Sequence, residues 1–78
     1  MPTLFYYLGL RFFFYSNDHE PIHVHVSNKD GEAKFRIDPI ILIENRGIKP
    51  RDLKSAEVAL DENWEVIIER WNEYFSKK

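Results

Sequence analysis

The chain changes its periodicity once, near Gly47. Before that point apolar and polar residues tend to alternate, the period of two that a half-buried strand imposes. After it apolar residues recur every three or four positions, as on one face of an α-helix. Leu8 to Tyr15 (LGLRFFFY) is dense in aromatics and predicts a strand that is apolar on both sides for part of its length. Ser16-Asn17-Asp18 and then Pro21 mark a loop. His23 to Ser27 predicts a second strand, Glu32 to Asp38 a third and Ile40 to Glu44 a short fourth, which Asn45-Arg46-Gly47 ends. In the third, Ala33, Phe35 and Ile37 share one face while Lys34 and Arg36 take the other. Asn28-Lys29-Asp30-Gly31 reads as a hairpin turn. With a two-residue turn, Lys29 would face Glu32, Val26 would face Phe35 and His25 would lie near Arg36.

Pro50 suits the first turn of a helix, where its missing N–H costs nothing. The apolar positions that follow are Leu53, Ala56, Leu60, Trp64, Ile67, Trp71, Tyr74 and Phe75. They predict a helix to about Phe75, either unbroken or bent near Asp61, which would cap a second segment. The stripe reads as core packed against the sheet, and Glu65, Glu69 and Glu73 as a solvated ridge. The expected architecture is α+β. A small sheet of three to four mainly antiparallel strands is covered on one face by a long C-terminal helix. One domain is expected over 1–78, with a sheet region at 1–48 and a helical region at 49–78.

Composition adds further constraints. Six Phe, four Tyr and two Trp in 78 residues are more aromatic surface than a small core readily hides, so a homodimer or a bound partner is expected. The absence of Cys excludes disulfides, thiolate metal sites and thiol catalysis. No basic segment with an apolar run and a cleavage site opens the chain, and Leu4 to Leu10 is too short to span a bilayer. A cytoplasmic protein without a membrane segment is the expectation. The net charge of −2 argues against a general nucleic-acid binder, so any RNA contact would need a local patch.

Candidate chemistry concentrates in one place. All three histidines fall within Asp18-His19-Glu20-Pro21-Ile22-His23-Val24-His25. Strand alternation points His23 and His25 to the same side, with roots about 6.6 Å apart at a rise of about 3.3 Å per residue. His19, in the Pro-stiffened loop, can fold back over the strand end. One reading is a divalent metal held by His19, His23 and His25, with Asp18 and Glu20 adding a ligand or orienting an imidazole from outside. Another is metal-free acid/base chemistry on a phosphodiester. His23 would then be the base, His25 or His19 the acid, and Arg36 or Lys34 would stabilise charge, with Tyr15 a further proton donor or stacking platform. A third is a plain interaction module in which the histidines only tie the loop to the strand. Arg11 reads as a charge placed against edge aggregation before it reads as a phosphate ligand.

The run DHEPIHVHV, together with MPTL, RFFFYSNDHEP, EAKFRIDP and ERWNEYF, resembles the bacterial domain-of-unknown-function 4160 family over nearly the whole chain. The family signature is an acidic residue and a His followed by Pro-Pro-His-x-His. Asp18, His19, Pro21, His23 and His25 match it, and Ile22 replaces the second Pro. The resemblance implies a small bacterial or archaeal protein with no settled activity and no established catalytic or metal residue. Genes of the family often lie beside one for another small protein. By analogy that implies a toxin–antitoxin-like pair, with this chain the RNA-directed toxin and the neighbour-encoded protein its partner.

Overall fold

The computed structural model describes residues 3–75. Met1, Pro2 and residues 76–78, the extreme ends of the expected sheet and helical regions, lie outside the described residues. The strands are β1 (Thr3–Tyr7), β2 (Leu10–Phe13), β3 (His23–Ser27), β4 (Glu32–Ile37) and β5 (Ile40–Arg46). Two helices follow, α1 (Pro50–Glu62) and α2 (Trp64–Phe75). The sheet runs β1-β2-β3-β4-β5, every neighbour antiparallel, so consecutive strands pair as a meander.

The sheet therefore has five strands, not three to four. The additional strand, β1, comes from a stretch whose alternation is masked by its many apolar side chains. Its turn also escapes notice. Leu8 (φ 50°) and Gly9 (φ 79°) form a two-residue connection with both central residues left-handed, the geometry that matches strand twist. A Leu in that position is uncommon, and it carries no turn signal in the sequence.

The β3–β4 register also differs from the expectation. His23 pairs with Arg36, Val24 with Phe35, His25 with Lys34, Val26 with Ala33 and Ser27 with Glu32. The turn is four residues long because Asn28 closes it. The Asn28 N–H donates to the Gly31 carbonyl (3.0 Å), and Asn28 Oδ1 accepts from the N–H groups of Asp30 (2.8 Å) and Gly31 (3.2 Å). The partners thus move by two residues, which preserves the side each residue faces. Gly31 is required there: a Cβ would collide with the Arg46 carbonyl at the end of β5.

The helical stripe is interrupted at Asn63, so two helices replace the expected long one, and the break falls two residues beyond Asp61. Both the backbone N–H (3.1 Å) and Nδ2 (2.9 Å) of Asn63 donate to the Ala59 carbonyl. The Ile67 N–H then takes up the Asn63 carbonyl (3.0 Å) and starts α2. Trp64 Nε1 donates to the Ile37 carbonyl (2.9 Å), which pins the junction to the end of β4.

The helices cover one face of the sheet. Leu10, Phe12, Val24, Val26, Phe35 and Ile37 are fully buried there with Ala56, Ala59, Leu60, Ile67 and Trp71. Each large apolar side chain so buried contributes about 1.5–3 kcal/mol of transfer free energy. The alternate residues Arg11, Phe13, His23, His25, Ser27, Glu32, Lys34 and Arg36 fall on the opposite face, by the pairings Arg11 with Ser27 and Phe13 with His25. No described helix is long and apolar enough to cross a membrane.

Candidate metal centre

β3 reads His-Val-His-Val because it serves both faces at once. Its valines enter the core, and its histidines are set one pleat apart on the side away from it. The ring centroids of His23 and His25 are 5.2 Å apart. Both are held from several directions. His25 stacks on Phe13 (5.5 Å, 26°) and meets Tyr15 edge-on (4.4 Å), while His23 lies 5.5 Å from Trp71 of α2 at the margin of the covered face.

The loop between β2 and β3 supplies the third group. It closes on itself through two bonds: the Asp18 N–H donates to the Tyr15 carbonyl (3.1 Å), and the Tyr15 N–H donates to Asp18 Oδ2 (2.9 Å). The effect is to aim the Asp18 carboxylate back over β3. Asp18 Oδ1 lies 3.2 Å from His23 Nε2, and Asp18 Oδ2 lies 3.2 Å from His25 Nε2. The three side chains are only 9%, 14% and 10% exposed for Asp18, His23 and His25. Their potential ligand atoms all lie within 4.8 Å of one another.

The far nitrogens of the rings are also occupied. His23 Nδ1 is 2.8 Å from the Pro21 carbonyl. A carbonyl only accepts, so Nδ1 carries the proton, and in the neutral ring Nε2 is a lone pair. His25 Nδ1 faces Glu32 Oε2 at 3.6 Å, and Glu32 is itself fixed by the Tyr15 hydroxyl, which donates to its carboxylate (3.0 and 3.1 Å). Both Nε2 atoms therefore converge on one carboxylate while both Nδ1 atoms look outward at oxygen. In the neutral ring that lone pair of His23 faces Asp18 Oδ1 at 3.2 Å, so two acceptor atoms point at the same space, as the ligand atoms of a shared cation do.

Electrostatics follow the burial. Burial pushes the Asp18 carboxyl up, but the Tyr15 N–H and the neighbouring His25 and His23 outweigh it, so its pKa lies below the usual 3.8. Burial also drives His25 below 6.5, against the pull of Asp18. The Tyr15 phenol is raised above 10.0 by burial and by its bond to Glu32.

The residues named from sequence separate into two groups. His23, His25 and Asp18 are brought together. His19 is exposed with Nδ1 3.3 Å from the Glu20 carbonyl, and neither His19 nor Glu20 joins the cluster. The side chains that lie together are thus two histidines and a carboxylate, with His19 of the three named histidines standing outside the group. The loop turns His19 outward in order to turn Asp18 inward. Lys34 and Arg36 stand across from His25 and His23 as strand partners, half-buried. Glu32 was not anticipated. Its signal was present in the alternation of Glu32, Lys34 and Arg36, which places it on the histidine face two residues from the partner of His25.

A family model described as Domain of unknown function (DUF4160) matches residues 9–72, a span that includes every residue of the cluster. No curated protein and no solved structure matches the chain.

Proposed function

The chain belongs to the DUF4160 family, a domain of unknown function, and on the strength of its site we propose that it binds one divalent metal ion through Asp18, His23 and His25. The carrying observation is the orientation of the two rings. Each Nδ1 faces an outward oxygen, Pro21 O or Glu32 Oε2, and each Nε2 faces the same Asp18 carboxylate. Metal-binding histidines are held in this way, with the non-ligating nitrogen against a carbonyl or carboxylate that fixes tautomer and aim. Two ligands at about 2.0–2.1 Å from a tetrahedral ion lie roughly 3.3 Å apart, and Asp18 Oδ1 lies 3.2 Å from His23 Nε2 and 3.3 Å from His25 Nε2, separations that fit that edge for one shared oxygen. Two imidazoles and a carboxylate suit zinc, nickel, cobalt or ferrous iron and leave coordination positions open. Such an ion, when bound, polarises oxygen ligands and acidifies a bound water.

Metal-free acid/base chemistry is less well served. The one free lone pair of a neutral His23 points at Asp18 rather than at open space, and a general base needs its lone pair within reach of a substrate proton. An RNA-directed role in a toxin–antitoxin-like pair rests on the family resemblance, whereas metal binding rests on atoms in this site.

Calorimetric titration of the full chain with zinc, nickel and cobalt tests the reading. One equivalent binds the parent protein. Asp18→Asn and His23→Gln each weaken it by more than about a hundredfold, since losing a ligand costs more than losing an outer partner. His19→Gln leaves the affinity unchanged. Absence of binding by every ion, or equal loss from His19→Gln, overturns the proposal.

A further inference from the structure

Four cations fall on the histidine face of the sheet, and they are used differently. Arg11 donates through Nε to Thr3 Oγ1 (3.0 Å) and lies over the Phe13 ring (4.4 Å). Arg46 is paired with Glu44 (2.6 Å). The side chains of Lys34 and Arg36 make no ion pair or hydrogen bond among the described residues. These two unengaged cations are the strand partners of the two histidines, Lys34 of His25 and Arg36 of His23. Directly paired residues have Cβ atoms about 4.5–5.5 Å apart on one face, so both chains root beside the imidazoles. The acidic residues on this face are already committed, Glu32 to Tyr15 and His25, Glu44 to Arg46. A cavity of about 310 Å³ opens beside His25, bounded by Tyr15, Lys34 and Arg46 as well as the two glutamates.

Unpaired half-buried cations beside a metal centre call for an anion. Lys34 supplies a point charge and Arg36 a planar fork of donors suited to the paired oxygens of a phosphoryl group. We infer that the ligand of this centre is a phosphate ester, one oxygen of which takes an open metal position while Lys34 and Arg36 hold the others. The inference rests on the metal reading above. It names the class of ligand and assigns Arg36 and Lys34 to recognition, with no bond made or broken.

Cobalt-loaded protein tests it, because ligand exchange at cobalt changes the visible absorption spectrum. Two probes are titrated: phenyl phosphate, a monoester, and a dinucleotide monophosphate, a diester. Saturable spectral change with the monoester points to a small phosphorylated molecule, and with the diester to a nucleic-acid strand; either supports the inference. Arg36→Gln and Lys34→Gln each weaken the bound probe by roughly tenfold, the scale of one charge-assisted hydrogen bond, and leave cobalt affinity unchanged. If cobalt binds and neither ester perturbs it, or if the double variant binds ester as tightly as the parent, the inference fails and the metal site stands. If cobalt itself does not bind, the metal reading fails first.

Discussion

The two sides of β3 are one residue apart in sequence and are held by different physics. Val24 and Val26 are fully buried in a cluster with Phe35, Ala56, Leu60 and Trp71, where the stabilisation is non-directional and scales with area removed from water. His23 and His25 are held by direction: each ring has the Asp18 carboxylate in front, and behind it the Pro21 carbonyl at 2.8 Å for His23 or the Glu32 carboxylate at 3.6 Å for His25. The core side stabilises the fold without specifying chemistry, and the histidine side specifies chemistry with less burial. The two do not separate fully. His25 is buried and stacked on Phe13, and His23 rests near Trp71, so the rigid core also holds the rings in place.

The sharpest way to break this division is to damage the core and read the site. Phe35 is fully buried opposite Val24. Phe35→Ala is expected to cost about 3–5 kcal/mol through lost burial and a residual cavity. In so small a domain that approaches the low end of total stability, about 5 kcal/mol. Urea denaturation followed by tryptophan fluorescence measures it, and metal affinity should fall only as far as the folded fraction falls. A cost under about 1 kcal/mol would show that the covered face does not carry the fold.

The same division explains what could be read from the residues alone. The bounds of β3 and the start of β4 were legible because alternation there is clean and bracketed by turn residues. The facing of Lys34 and Arg36 toward the histidines was legible as well, since a two-residue error in register keeps each side chain on its side. Three features were not. β1 was hidden by a left-handed Leu8, a conformation the residue type does not advertise. The helix break, an open alternative near Asp61, takes its place at Asn63 because one side chain competes for the Ala59 carbonyl within an otherwise continuous apolar stripe. That Asp18 and not His19 turns toward His23 and His25 depends on how a loop closes, and the decisive bonds tie Asp18, the first residue of the histidine run, to Tyr15 outside it.

A smaller effect sharpens the directional side. Glu32→Gln keeps the shape of the side chain but removes the charge facing His25 Nδ1 at 3.6 Å. Outer partners of metal-binding histidines typically contribute 10–100-fold in affinity, and a loss of roughly tenfold is expected for this one, with urea stability changed by less than about 1 kcal/mol. Calorimetry on the variant checks the first figure and denaturation the second. An affinity equal to that of the parent would mean that Glu32 serves only as the acceptor of the Tyr15 hydroxyl and has no part in aiming His25.

The subtlest difference between the faces is their response to protons, since the core side has nothing to titrate. In the metal-free protein His25 has a pKa below its ordinary 6.5, first because of burial, so folding favours the neutral ring. That contribution is complete above about 6.5, the ordinary imidazole value, and is lost as the pH falls toward the folded value. Asp18 is also held below its ordinary 3.8, its burial outweighed by the Tyr15 N–H and the two imidazoles, so its contribution is present above that value and fades at still lower pH. Tyr15 is raised above 10.0 by burial and by Glu32, so its contribution is present below that value and is lost as the pH rises through the folded one. The urea midpoint should therefore be flat between about pH 7 and 9 and decline on either side, in acid first through His25. His25→Gln should remove the early part of the acid limb and leave the alkaline limb, whereas Tyr15→Phe should do the reverse. An acid limb that begins at the same pH in His25→Gln as in the parent would show that the ring is not held neutral by its place on the sheet.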